Sequence, residues 1–425
     1  MSKNDEAWEK LFEKLKILSR VEREGSFRIS AAQIKKFREP RLMTKFDHKI
    51  NLPKIFLSND LSILPITRGD YLISHFEAWH DFEPSDSLVI QASLPEHLLS
   101  LNSQNIFSET VALNCAFASG IIADFAGDEN IVPTVSGRMS SGSFDFTIND
   151  TTKKFSHVVS VNNSQIEIDA AFEGIKFLTL IEAKNDLSDD FLVRQLYYPY
   201  RTWRDRITKP IKPIFLVYSN GIFYLREYSF DEPDCYSSVR LVKQRKYSVE
   251  STRITLHDIQ EILRNVHIEN EPQIPFPQAD KFERVINLCE LLDEKILSKD
   301  EVTATYDFDA RQTSYYTNAA IYLGLIEKFP PRRNNTYKLS DFGKKILRQN
   351  FRERQLSYCR CILSHKVFAD TLRIFLERGA MPSKEEIIAL MKNSALYNIG
   401  SDNTFDRRAS TIKGWLNWII DLIDE

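Results

Sequence analysis

Cysteine is scarce in this chain: Cys115, Cys235, Cys289, Cys359 and Cys361 are the five in 425 residues. Their spacing fits no zinc site, and Cys359 and Cys361 stand too close for a paired knuckle. They read as free thiols in a reducing cytoplasm. A long apolar run is also missing, and the first residues are charged and amphipathic. That pattern predicts no signal peptide, no membrane span and no membrane partner. Nor is there a strong excess of one charge, since the formal net charge is −3. No global basic field announces nucleic acid, although a local basic cleft is enough for it.

The length exceeds one compact core, so two to four domains are expected. Aromatic residues make up 12% of the chain, which suits stacking surfaces as well as cores. The most informative stretch is QIEIDAAFEGIKFLTLIEAKNDLSDDFLVRQLYYPYRTW, residues 165–203. It reads as strand, turn, strand, helix. Residues 165–172 alternate, with Glu167 and Asp169 on one face and Ile166 and Ile168 on the other. Gly174 marks the turn. Residues 177–181 form an apolar run of the kind found inside a sheet. Glu182 and Lys184 then leave the strand's end on the same side.

Two carboxylates on adjacent strands can hold a hard divalent cation. Such a cation polarises a scissile phosphate and lowers the pKa of a bound water. A neighbouring lysine positions the nucleophile and offsets developing charge. The competing structural reading of Asp169, Glu182 and Lys184 is a surface salt bridge at a sheet edge.

Asp169 followed by Glu182-Ala183-Lys184 resembles the PD-(D/E)XK nuclease family, type II restriction endonucleases in particular, over roughly residues 109–230. The resemblance makes Asp169 the first acid, Glu182 the second and Lys184 the lysine. Gln195 matches a glutamine that several branches carry on the next helix. Ile168 stands where the family's name has proline, and Glu167 shares a face with Asp169 and competes as the first acid. The implied fold is multidomain α/β, with a mixed sheet flanked by helices. The implied cofactor is Mg²⁺, held by Asp169, Glu182 and Ala183. A helix over 107–126 would precede the core and supply Glu109 as a further carboxylate. Glu109 reads equally well as an acid favouring a helix N-terminus.

Outside the core, basic residues gather where the chain turns. Residues 38–47 concentrate Arg38, Arg41 and Lys45 around a proline-broken turn, and 61–73 reads as strands around Pro65 and Gly69. Arg41, Lys45 and Arg68 are candidates for phosphate contacts or for solvated loop charges. Arg138, in a Gly- and Ser-rich turn, could clamp a phosphate or read a guanine. Asp145, between two phenylalanines, reads as a surface residue of its strand. Asn220-Gly221 predicts a hairpin over 211–230.

Residues 1–100 are expected to contact DNA, 101–250 to form the nuclease core, and 251–277 to be a linker. A winged-helix domain is expected over 278–350 and a second, winged-helix-like copy over 351–425. The helix from about Ala310 would present Arg311, Gln312, Ser314, Tyr315 and Asn318 to base edges and phosphates, with Arg332 and Arg333 at the wing tip. Arg407 and Arg408 take corresponding places in the second copy. A winged helix also serves as a protein–protein module. The resulting expectation is a Mg²⁺-dependent, sequence-specific double-stranded DNA endonuclease leaving 5′-phosphate ends. A homodimer is compatible with it, and a cognate DNA methyltransferase is implied genetically rather than as a bound subunit. The alternative is a regulatory or structural DNA-binding protein with an inactive nuclease-like core.

Overall fold

The computed structural model describes residues 3–424, apart from 86, 153–154, 294, 307, 330–334, 398 and 400–401. It is a multidomain mixed α/β protein built around one seven-stranded sheet. The strand order across that sheet is Val89–Gln91, Val239–Ser248, Ile222–Phe230, Ile211–Ser219, Leu178–Lys184, Gln165–Glu173, Val132–Ser140. Two neighbouring pairs are parallel, Leu178–Lys184 with Ile211–Ser219 and Val239–Ser248 with Val89–Gln91. The other pairs are antiparallel.

The central position of Leu178–Lys184 explains its unbroken apolar run, because both its faces are covered. Ile181 and Ala183 face helices Glu109–Ala118 and Ile121–Ala126, together with Ile214 and Leu216 of the next strand. Leu178 and Leu180 face the other way, towards Leu196 and Tyr197 of helix Arg194–Arg204. A two-stranded hairpin, Ser143–Asn149 with Ser156–Asn162, adds Phe144, Phe146 and Val159 to that second core. The expected single helix over 107–126 is two helices, broken at Gly120 with φ 77°. Pro199 lies inside its helix, which continues to Arg204. Asn220 and Gly221 take φ 51° and 79°, as a tight two-residue hairpin turn requires.

Residues 3–73 form a smaller body. Its helices pack Trp8, Leu11 and Phe12 on Phe56 and on Ile73 of a three-stranded antiparallel sheet. Pro40 follows helix Ala31–Lys35 and opens the next one, Pro40–Thr44, where its missing N–H costs nothing.

Residues 251–277, expected as a linker, are folded. Helix Leu256–Asn265 starts at a Thr255–Asp258 capping box, and Ile254, Ile259, Ile262 and Phe276 are buried in the C-terminal core. That core continues through helix Phe282–Asp293, strand Leu297–Ser298, helices Lys299–Thr305 and Ala310–Tyr322, and strands Ile326–Phe329 and Thr336–Leu339. The three strands pair in the order Leu297–Ser298, Thr336–Leu339, Ile326–Phe329. Arg332 and Arg333 lie outside the described residues. Residues 351–424 contribute four helices, Phe351–Leu363, Lys366–Arg378, Lys384–Lys392 and Asp402–Asp421. Among the described residues they form no strand of a sheet, so the hairpin half of a second winged-helix-like copy has no counterpart there.

Candidate functional site

The site begins where two strands part. Gln165–Glu173 and Leu178–Lys184 pair up to Ala170 opposite Ile181 and then separate. Beyond that point the Asp169 carboxylate replaces the missing strand partner, its Oδ2 accepting the Ala183 N–H at 2.8 Å. Glu182 projects from the same strand end into a covered position and is 8% exposed. Its Oε1 accepts from Lys184 Nζ at 2.6 Å and from Gln195 Nε2 at 2.7 Å. Lys184 Nζ also reaches the Ala183 carbonyl at 3.2 Å. Asp169, Glu182, Lys184 and Gln195 are thus brought together within one hydrogen-bonded group.

Burial pushes the Glu182 carboxyl up to about 7, with the charges of Asp169 and Asp47 adding to it and Lys184 opposing it. Burial pulls the Lys184 ammonium down, but Glu182, Glu109, Asp169 and Asp47 outweigh that and hold its pKa above the usual lysine range. Lys184 is therefore a fixed cation at neutral pH. Glu109 opens helix Glu109–Ala118 behind the Ser108 cap. Its carboxyl is raised by burial and by Asp169 and Asp186, against Lys184 and Lys45. Glu109 thus starts its helix, and its carboxyl also feels the charges of Lys184, Asp169 and Asp186. Glu167 points elsewhere, accepting from Arg138 Nε of the neighbouring strand at 3.3 Å.

Three residues of this neighbourhood escaped the sequence reading. Asp186 extends the alternation of Glu182 and Lys184 by one more step, a local signal that could have found it. Asp47 and His48 follow Lys45 in a segment read only for its basic residues. Lys45 and Asp47 pair at 3.5 Å. His48 is buried, with Nε2 3.3 Å from Asp186 Oδ2 and Nδ1 2.9 Å from the Asp190 carbonyl.

The donors available to a metal are oxygens, the carboxylates of Asp169 and Glu182 and the Ala183 carbonyl. That set fits a hard cation such as Mg²⁺, which takes one or two carboxylates and keeps several waters. Burial is the main cause of the raised Glu182 carboxyl, and a cation at this position would favour its ionised form. Among the described residues, no group of three or more His, Cys, Asp and Glu side chains is close enough to hold a metal ion. Lys184 bridges two of the three donors itself.

The expected DNA-contacting residues are dispersed. Arg41 and Arg68 are exposed on the N-terminal body. Arg138 is engaged with Glu167. On helix Ala310–Tyr322, Arg311 is exposed and its guanidinium lies 5.4 Å from the Tyr315 ring centroid. Gln312 spends its carboxamide oxygen on the Asp309 N–H, closing a capping box at the helix start. Asn318 is half-buried and Arg407 exposed. Arg408 is half-buried, and burial lowers its pKa while the nearby Tyr315 counteracts this. Tyr315 is thus packed against by Arg311 of its own helix and lies within the electrostatic reach of Arg408 on helix Asp402–Asp421. Among the described residues, no helix is long and apolar enough to cross a membrane.

Three family models match successive stretches, each described as a domain of unknown function: DUF6996 over residues 5–73, DUF6997 over 74–248 and DUF7226 over 284–424. Asp169, Glu182, Lys184, Gln195 and Glu109 fall within the second match, and Asp47 and His48 within the first. No curated protein and no solved structure matches the chain.

Proposed function

We propose that the chain is a Mg²⁺-dependent endonuclease of the restriction type, cutting double-stranded DNA at a specific sequence. The observation that carries this reading is the gathering of Asp169, Glu182, Lys184 and Gln195 where two strands of a mixed sheet part. Asp169, Glu182 and the Ala183 carbonyl would hold the ion. Magnesium, when bound, supplies Lewis-acid polarisation of the phosphate and a water of lowered pKa. The chain's own groups do the rest. Lys184, held protonated, places its charge beside the attacked phosphate, where negative charge grows. Gln195 fixes the Glu182 carboxylate. Water adds to phosphorus, the bond to the 3′ oxygen breaks, and a 5′-phosphate and a 3′-hydroxyl remain.

The PD-(D/E)XK core reading draws on the same sheet and its flanking helices. A winged-helix reading of 278–350 draws on its order of helix, strand, two helices and hairpin, with Ala310–Tyr322 as the recognition helix. Arg311, Tyr315 and Arg408 would contact DNA there. A homodimer and a cognate methyltransferase belong to this proposal as well. The alternative, a DNA-binding regulatory or structural protein with an inactive core, rests on the lack of a three-ligand cluster among the described residues and on the Lys184 bridge. Digesting a genome of known sequence with Mg²⁺ and sequencing the fragment ends decides between them. Ends that align on one short sequence and carry 5′-phosphates are expected. An undigested genome favours the alternative, and ends at random positions remove the claim of specificity.

A further inference from the structure

We infer that Asn287 is a positioning residue for the acidic centre. It grips the segment that leaves the Glu182 strand, so the geometry of Glu182 and Lys184 depends on the C-terminal region. Asn287 lies on helix Phe282–Asp293 and is 1% exposed. A carboxamide buried so completely is costly unless every polar group is satisfied. Its Nδ2 donates to the Asn185 carbonyl at 2.7 Å, Glu290 Oε2 at 3.0 Å and Ser219 Oγ at 3.1 Å. Its Oδ1 accepts from the Leu187 N–H at 2.9 Å and from the Tyr306 hydroxyl. One side chain thus holds a carbonyl and an amide of the same three-residue segment, much as a neighbouring strand would. Asn185 is one peptide from Lys184.

Other contacts fix the same segment. Lys281 and Arg284, from the C-terminal region, reach Asp189 at 2.7 and 3.1 Å. His48, from the N-terminal body, contacts Asp186 and Asp190. The N-terminal body also joins the Asn287 chain directly, because Asn51 Nδ2 donates to the Tyr306 carbonyl at 3.1 Å. The six residues after Lys184 are therefore held from both ends of the protein. A misplacement of about 1 Å at a catalytic group can cost on the order of 100-fold in rate. A movement of the C-terminal region that shifts Asn287 would be passed to Lys184 and Glu182 through one peptide.

The inference rests on the nuclease reading for its rate assay but not for its structural assay. The variants are Asn287→Ala, which removes both contacts without adding charge, and the harsher Asn287→Asp, which keeps the acceptor for Leu187, removes the donor to Asn185 and sets a second buried carboxylate against Glu290. Gln355→Ala is the control: it removes two hydrogen bonds across the same interface, to Asn220, and none to the Asn185–Leu187 segment. Amide hydrogen exchange should rise at least about tenfold at Leu187 and at Ala183 in Asn287→Ala, and not in Gln355→Ala. Single-turnover DNA cutting should fall by about 10- to 100-fold in Asn287→Ala, and at least as much in Asn287→Asp, with DNA affinity held. Equal slowing by Gln355→Ala, or unchanged exchange at Ala183, overturns the inference by reducing Asn287 to general interface stability. If the wild-type protein cuts no DNA, the nuclease reading fails, and exchange at Ala183 still decides the positioning role.

Discussion

Replacing Glu182 by Gln separates the burial of this acid from its attraction to Lys184. The substitution keeps the shape and leaves an amide oxygen for Gln195 and Lys184. In the folded protein the Glu182 carboxyl is pushed up from 4.5 to about 7, burial being the largest cause. A raised acid binds its proton more tightly in the folded state than in the unfolded chain. Its contribution to stability is therefore full below about pH 4.5 and is lost as pH rises through 7. A rise of that size corresponds to about 3 kcal/mol. Glu109 shifts in the same direction but is common to both proteins, so it cancels in the comparison. Urea unfolding of wild type and Glu182→Gln, in EDTA across pH 4.5–8, should show the wild type losing about 3 kcal/mol relative to the variant. A flat difference would refute the burial argument. A difference of opposite sign would mean that the ion pair with Lys184 outweighs burial and holds the carboxyl low.

Gln195→Ala removes a 2.7 Å hydrogen bond that favours ionised Glu182. A bond to a charged group contributes roughly 1.5–3 kcal/mol, so the acid limb of the cutting-rate profile should move up by about one pH unit or more; an unmoved limb would detach Gln195 from the site. Arg311→Ala should lower affinity for the cognate sequence by about one to two orders of magnitude while non-cognate binding holds. Arg408→Ala, if it removes a phosphate contact, should lower both and flatten the salt dependence, and titration of cognate and scrambled duplexes across a salt series distinguishes the two. Gly174→Ala should destabilise the sheet by about 1–3 kcal/mol in thermal unfolding, because a new Cβ would lie 2.3 Å from Asp128 Oδ2. Asp128 holds the turn by accepting from the Lys176 and Phe177 amides, and an unchanged melting temperature would show that it moves freely.

The legible features were those set by short stretches of chain. The two strands around Gly174 lie close in sequence, so their alternation and that turn were enough to bring Asp169, Glu182 and Lys184 to one end of the sheet, as the Asn220-Gly221 signal was for the neighbouring hairpin. Two local signals were present and outweighed. Asp309 and Gln312 have capping-box spacing, yet Gln312 was read as facing DNA. Thr255, Asp258 and the apolar residues Ile259, Ile262 and Leu263 spell a capped helix, but the surrounding prolines and charges suggested a linker. The positions of Asp47, His48 and Asn287 had no local signal. They reach the site only because two other parts of the chain fold onto residues 185–190, and such long-range packing leaves no periodicity to read.

Supercoiled plasmid carrying varied sequence, incubated with Mg²⁺, with EDTA, and with Mg²⁺ and Asp169→Ala, tests the nuclease reading most directly. Discrete linear fragments with Mg²⁺ and none with EDTA are expected. Asp169→Ala should cut nothing while binding DNA in Ca²⁺ about as tightly as the wild type. Intact plasmid with Mg²⁺, or cutting by Asp169→Ala at the wild-type rate, would contradict the assignment of Asp169 and Glu182 to a metal-dependent cleavage centre.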